Sequence, residues 1–67
     1  MDDRVRIGKR IADIRKSKGL TQEELSKITG IAPGNIGRIE KGKYSTGITL
    51  LSRIADPLGF KVDLVEK

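Results

Sequence analysis

The chain has 67 residues, one small domain near the size at which a single hydrophobic core can hold a fold together without staples. It contains no Cys and no His, which excludes disulfides, thiolate nucleophiles, imidazole acid/base chemistry and nearly every tight zinc or copper site. Fourteen Lys and Arg against nine Asp and Glu leave a net charge of +5, and the whole excess sits in residues 1–44, so the one-sided field favours a polyanionic partner such as nucleic acid or an anionic membrane.

From Arg4 to Lys18, Ile7, Ile11 and Ile14 recur at i, i+4 and i+7 while charged residues fill the other faces, which predicts an amphipathic helix. Gly19 suits the left-handed position just past its end, and Lys16 and Lys18 in the last turn suit the helix dipole. Thr21 and Glu24 then have the spacing of a capping box, opening a short helix from Gln22 to about Thr29 that buries Leu25 and stops at Gly30. Pro33 is placed for the first position of a third helix, which should bury Ile36 and Ile39 and end before Gly42. Gly34 and Gly37 lie inside it, each costing about 0.5–1 kcal/mol relative to Ala, and close approach of another backbone or a ligand would account for them.

After a polar loop containing Tyr44, Ser45 and Thr46, a fourth helix should bury Ile48, Leu51, Ile54, Ala55 and Leu58 and stop at Gly59. Pro57 cannot donate to the carbonyl four residues back, so its final turn should be irregular. From Phe60 to Leu64 the period changes to 2, predicting a half-buried strand with Phe60, Val62 and Leu64 on one face. No other segment looks like its partner, so pairing with the same strand of a second copy across a two-fold axis is the economical solution; a short fifth helix is the alternative.

Two short helices joined by a Gly-containing turn, set between a longer helix and a fourth, form the helix-turn-helix arrangement. The run Ile7-Gly8-Lys9-Arg10-Ile11, then Arg15 to Leu25, Gly30-Ile31, Ile36, Arg38 to Lys43, and finally Leu51, Ile54-Ala55 and Leu58-Gly59, resembles the Cro/repressor-type (XRE-like) helix-turn-helix family over residues 4–59. The resemblance implies an all-α, four-helix body that binds operator DNA, usually as a symmetric dimer. Residues 1–59 would be the DNA-binding domain and residues 60–67 a dimerisation segment through Phe60, Val62 and Leu64. Position by position, it implies a phosphate contact for Gln22, base-edge positions at 32, 33, 34 and 38, backbone contacts from Lys43 and Tyr44, and an Arg15–Glu40 salt bridge between the first and third helices.

The chain departs from its relatives where Ala32, Pro33 and Gly34 replace the hydrogen-bonding side chains often found there. Direct readout then leans on Arg38, which can pair with guanine O6 and N7, and on Asn35, which can pair with adenine N6 and N7. Base specificity should be modest, supplemented by DNA shape and half-site spacing.

No apolar run approaches the roughly 20 residues that span a bilayer, and Asp2 and Asp3 do not suit a secretory leader, so a cytoplasmic, nucleoid-associated protein without a membrane partner is expected. The expected partners are double-stranded DNA and a second copy, with no cofactor, metal or small-molecule ligand. The expected function is a sequence-specific transcriptional regulator, a repressor acting as a homodimer on a palindromic operator. Alternatives are an antitoxin that also binds a toxin protein, or a helix-turn-helix module that docks on an acidic protein without binding DNA. Nothing marks Glu23 and Glu24 as a catalytic carboxylate pair, so an enzyme is not expected.

Overall fold

Capping chemistry sets the ends of the elements in the computed structural model, which describes residues 2–67. Helix α1 (Asp3–Ser17) starts where the Asp2 carboxylate accepts from the Arg4 N–H. It ends in a Schellman arrangement: Gly19 has φ +71°, its N–H reaches the Lys16 carbonyl, and the Leu20 N–H reaches that of Arg15. Helix α2 (Gln22–Thr29) opens with the full capping box, Glu24 N–H to Thr21 Oγ1 at 3.0 Å and Thr21 N–H to Glu24 Oε1 at 2.9 Å. The Thr21 amide bond holds the Glu24 carboxyl below its ordinary value of 4.5. Helix α3 (Pro33–Glu40) has Pro33 in its first turn and no side-chain cap. Helix α4 (Ile48–Ala55) gives way to a 3-10 turn at Asp56–Leu58, the irregular ending expected from Pro57.

Leu25, Ile36 and Ile54 are fully buried at the centre, one from each of α2, α3 and α4. Ile11, Ile14, Ile31, Ile39 and Leu58 close around them, with Ile7, Leu20, Leu50 and Leu51 at the margin. Branched aliphatics thus fill the space between helices without an aromatic side chain. Thr29 is buried too, and its hydroxyl resolves the cost by donating to the Leu25 carbonyl and accepting from the Ile31 N–H across the turn into α3.

Two expectations are corrected. Ile48 is 72% exposed rather than buried, because it stands on the first turn of α4, where no neighbouring element covers it; the residues of α4 that pack against the core begin at Leu50. The strand over residues 60–64 is not formed, and neither is a fifth helix there: the segment has no regular secondary structure, and the described residues form an all-helical fold. A strand is defined by its ladder of hydrogen bonds, and a single copy offers this segment no second strand. Phe60 and Val62 lie against the groove between α1 and α4, whereas Leu64 is 97% exposed.

Gly8 explains how α1 and α3 come so close. A methyl group there would collide with the main-chain carbonyl oxygens of Ile39 and Glu40, so the last turn of α3 rests directly on the α1 backbone. Of the two glycines inside α3, Gly37 faces the Gln22 side chain at contact distance and Gly34 faces open space.

Candidate nucleic-acid interface

Helix α3 divides its residues sharply between two environments. Ile36 and Ile39 enter the core, while Ala32, Pro33, Gly34, Asn35 and Arg38 are all exposed and form its outer strip. The strip is shallow because three of those five residues have at most a few side-chain carbons. Any rod-like polyanion could therefore approach the helix backbone closely here, with Asn35 and Arg38 as the only side chains reaching out to hydrogen-bond.

Behind the strip, a polar node locks α3 to the rest of the body. Arg15 Nε and Nη2 donate to the Glu40 carboxylate at 2.7 and 3.0 Å, and Arg15 Nη1 donates to the Leu20 carbonyl at 2.6 Å. The two side chains are only 9% and 6% exposed, so the pair is a buried, bidentate one, and Glu40 holds the guanidinium pKa above its ordinary value. Gln22 completes the node by donating from Nε2 to Glu40 Oε1 at 3.0 Å. The Glu40 carboxylate therefore ties the end of α3 to α1 and to the first residue of α2, and Arg15 extends the node to the turn after α1 through the Leu20 carbonyl. The arrangement aims Gln22 across Gly37 and leaves its amide oxygen and second amide hydrogen without partners among the described residues.

The end of α3 presents the second cluster. A Schellman turn, with Gly42 N–H to the Ile39 carbonyl and Lys43 N–H to the Arg38 carbonyl at 2.9 Å, reverses the chain at Gly42, whose φ is +73°. The reversal brings Tyr44 back beside α3, where the Arg38 guanidinium carbon lies 5.7 Å from the ring centroid. Gly42 is also the contact with α1, since a Cβ there would lie 2.7 Å from the Val5 Cα.

Charge pairing differs around the body. Along α1, Arg4, Arg6 and Lys9 pair with Asp2, Asp3 and Asp13 at 2.9–3.2 Å on the surface. Arg38, Lys41 and Lys43 have no carboxylate within ion-pair distance among the described residues. The end of α3 and the loop after it thus carry three uncompensated cations, and Arg10, Lys16, Lys18 and Lys27 elsewhere on the body are likewise without a carboxylate partner among the described residues.

The anticipated site residues therefore fall into three groups. Gln22, Arg15 and Glu40 meet in the node; Ala32, Pro33, Gly34, Asn35 and Arg38 form the outer strip of α3, with Tyr44 beside Arg38 and Lys43 exposed in the loop that follows; Phe60 and Val62 lie apart from it, beside α1 and α4, with Leu64 in solvent. The sequence reading missed Gly8 and Thr29. The signal for Gly8 was available, a glycine in the middle of an amphipathic helix, whereas nothing local marks Thr29 as a buried hydroxyl bridging two helices.

Comparison with known proteins places this geometry. The helix-turn-helix family model matches residues 11–65, most of the chain including part of the segment after α4. An uncharacterized HTH-type transcriptional regulator of Methanothermobacter thermautotrophicus is 47% identical over 49 residues, covering 73% of this chain and 71% of that protein. The immunity repressor protein of Bacillus phage phi105 is 30% identical over 59 residues, 88% of this chain but 41% of that protein. Among solved structures, the restriction-modification controller protein C.AhdI from Aeromonas hydrophila superposes with a TM-score of 0.84 at 29% identity, covering 88% of this chain and 89% of that one. No helix among the described residues is long and apolar enough to cross a membrane.

Proposed function

Since the chain belongs to the XRE-type helix-turn-helix family of transcriptional regulators, we propose that it binds specific duplex DNA as a homodimer, with α3 in the major groove, and represses transcription by occluding polymerase. Supporting this reading most directly is the exposed strip from Ala32 to Arg38, flanked by cations that no carboxylate among the described residues neutralises. In the groove, Arg38 pairs with guanine O6 and N7 and Asn35 with adenine N6 and N7, each bidentate contact contributing about 1–3 kcal/mol of discrimination. The small residues Ala32, Pro33 and Gly34 bring the start of α3 close to a phosphate or a thymine methyl. Gln22 and the first amides of α2 face one phosphate, and Lys43 and Tyr44 face another. Residues 60–67 pair across a two-fold axis, placing two copies of α3 on the half-sites of a palindromic operator in the nucleoid. The repressor assignment takes support from the phage immunity repressor among the relatives.

Two measurements test the reading. Affinity for the preferred duplex should fall steeply with salt, with a log–log slope of about −0.9 per phosphate contacted. Arg38→Ala should lose discrimination at one base pair in each half-site, whereas equal weakening on all duplexes would make Arg38 a phosphate contact. A flat salt slope would instead support docking on an acidic protein. The exposed Leu64 and Val65 also support an antitoxin reading, in which this segment covers a toxin; binding of a neighbouring gene's product that disappears with Leu64→Asp would favour it.

A further inference from the structure

Tyr44 lies in the loop after α3, and its ring does not contribute to the core. The Gly42 reversal nonetheless returns it to α3, with the Arg38 guanidinium over its face at 5.7 Å. That contact is built into the backbone, because the Lys43 N–H is anchored on the carbonyl of Arg38 itself at 2.9 Å. The loop cannot move away without breaking the turn that ends the helix. Arg38 has no carboxylate partner among the described residues, so the aromatic face is what restrains an otherwise free, rotamer-rich side chain.

We propose that Tyr44 is a specificity-positioning residue: its ring is a platform that holds the Arg38 guanidinium in the plane needed to read a base. A cation over the ring suits that task, because a guanidinium that engages an aromatic ring through its face keeps its edge, with the paired N–H donors, free for guanine O6 and N7. A side chain already restrained loses less entropy on binding. The restraint acts on Arg38 alone, so it raises affinity for the cognate duplex more than for others. The inference rests on the reading of Arg38 as a base contact, and it separates two roles for Tyr44: a hydroxyl that can touch phosphate and a ring that sets Arg38.

Duplex affinities of the wild type, Tyr44→Phe, Tyr44→Leu and Arg38→Ala, on the preferred site and on a site changed at the Arg38 base pair, test it. Tyr44→Leu should lower the cognate-to-changed ratio by about two- to fivefold per half-site, the range expected for an exposed cation–π contact. Tyr44→Phe should keep the ratio while weakening both duplexes equally to the extent that the hydroxyl meets phosphate. On an Arg38→Ala background, Tyr44→Leu should leave the ratio unchanged. A Tyr44→Leu variant that weakens both duplexes equally overturns the platform while leaving Arg38 as a reader. An Arg38→Ala variant with an undiminished ratio overturns the base-contact reading and the platform with it.

Discussion

The two ends of this molecule are built on opposite terms. In the body from α1 to α3, nearly every contact is over-determined: Gly8 seats α3 on the α1 backbone, Glu40 receives three donor groups from Arg15 of α1 and Gln22 of α2, and Gly-ended Schellman turns fix both the exit from α1 and the loop after α3. After α4 the constraints thin out: Phe60 and Val62 still rest against the groove between α1 and α4, but Leu64 and Val65 lie almost fully in solvent and residues 60–67 have no regular secondary structure. A surface that reads a rigid partner must be held still. A segment left open and apolar is suited to completing its hydrogen bonds with another chain.

The contrast can be broken most severely at the node. Glu40→Ala leaves the Arg15 guanidinium buried without its anion, a loss of about 3–5 kcal/mol, comparable to the whole stability of a domain this small. Urea unfolding should show the variant largely unfolded at room temperature. Gly8→Ala comes next: despite the better helix propensity of Ala, the added methyl forces α1 and α3 apart and should cost about 1–3 kcal/mol by the same measurement.

Thr21→Ala removes one half of the capping box and should cost about 1 kcal/mol. The same box carries a pH dependence. Because the folded Glu24 carboxyl is held below 4.5, chiefly by the Thr21 backbone amide, its contribution is complete above that pH and fades as pH falls through the lowered folded value, and Glu24→Gln, which removes the titrating group, should flatten that part of the acid limb in a thermal melt. Leu64→Asp, at the opposite end, should leave the unfolding midpoint of the single copy within about 0.5 kcal/mol of wild type, since the side chain touches almost nothing in the chain. Sedimentation should nevertheless show the proposed wild-type dimer converted to monomer.

Legibility in the sequence follows the same division. Helix boundaries were readable to within a residue or so because each is set by a local signal, the Thr21–Glu24 box, Pro33, or a glycine past the end. The Ile7, Ile11, Ile14 stripe and the buried Leu25, Ile36 and Ile39 followed from period. Ile48 did not, because period identifies a face without saying how far along it neighbours extend. Gly34 and Gly37 drew attention as places of close approach, yet the closest approach is at Gly8, where the opposing backbone comes from residues more than 30 positions away. The link from Gln22 to Glu40 and the seat of Arg38 on Tyr44 were also out of reach, since both depend on how the chain turns between helices rather than on any spacing within one.

Selection of binding sites from a random duplex library, run in parallel with the full chain and with Leu64→Asp, tests the central claim most directly. The full chain should enrich an inverted pair of half-sites about one helical turn apart, and the variant the same half-site singly. Enrichment of no sequence by the full chain would contradict the account of the rigid end, and an inverted pair selected equally well by Leu64→Asp would contradict that of the open one.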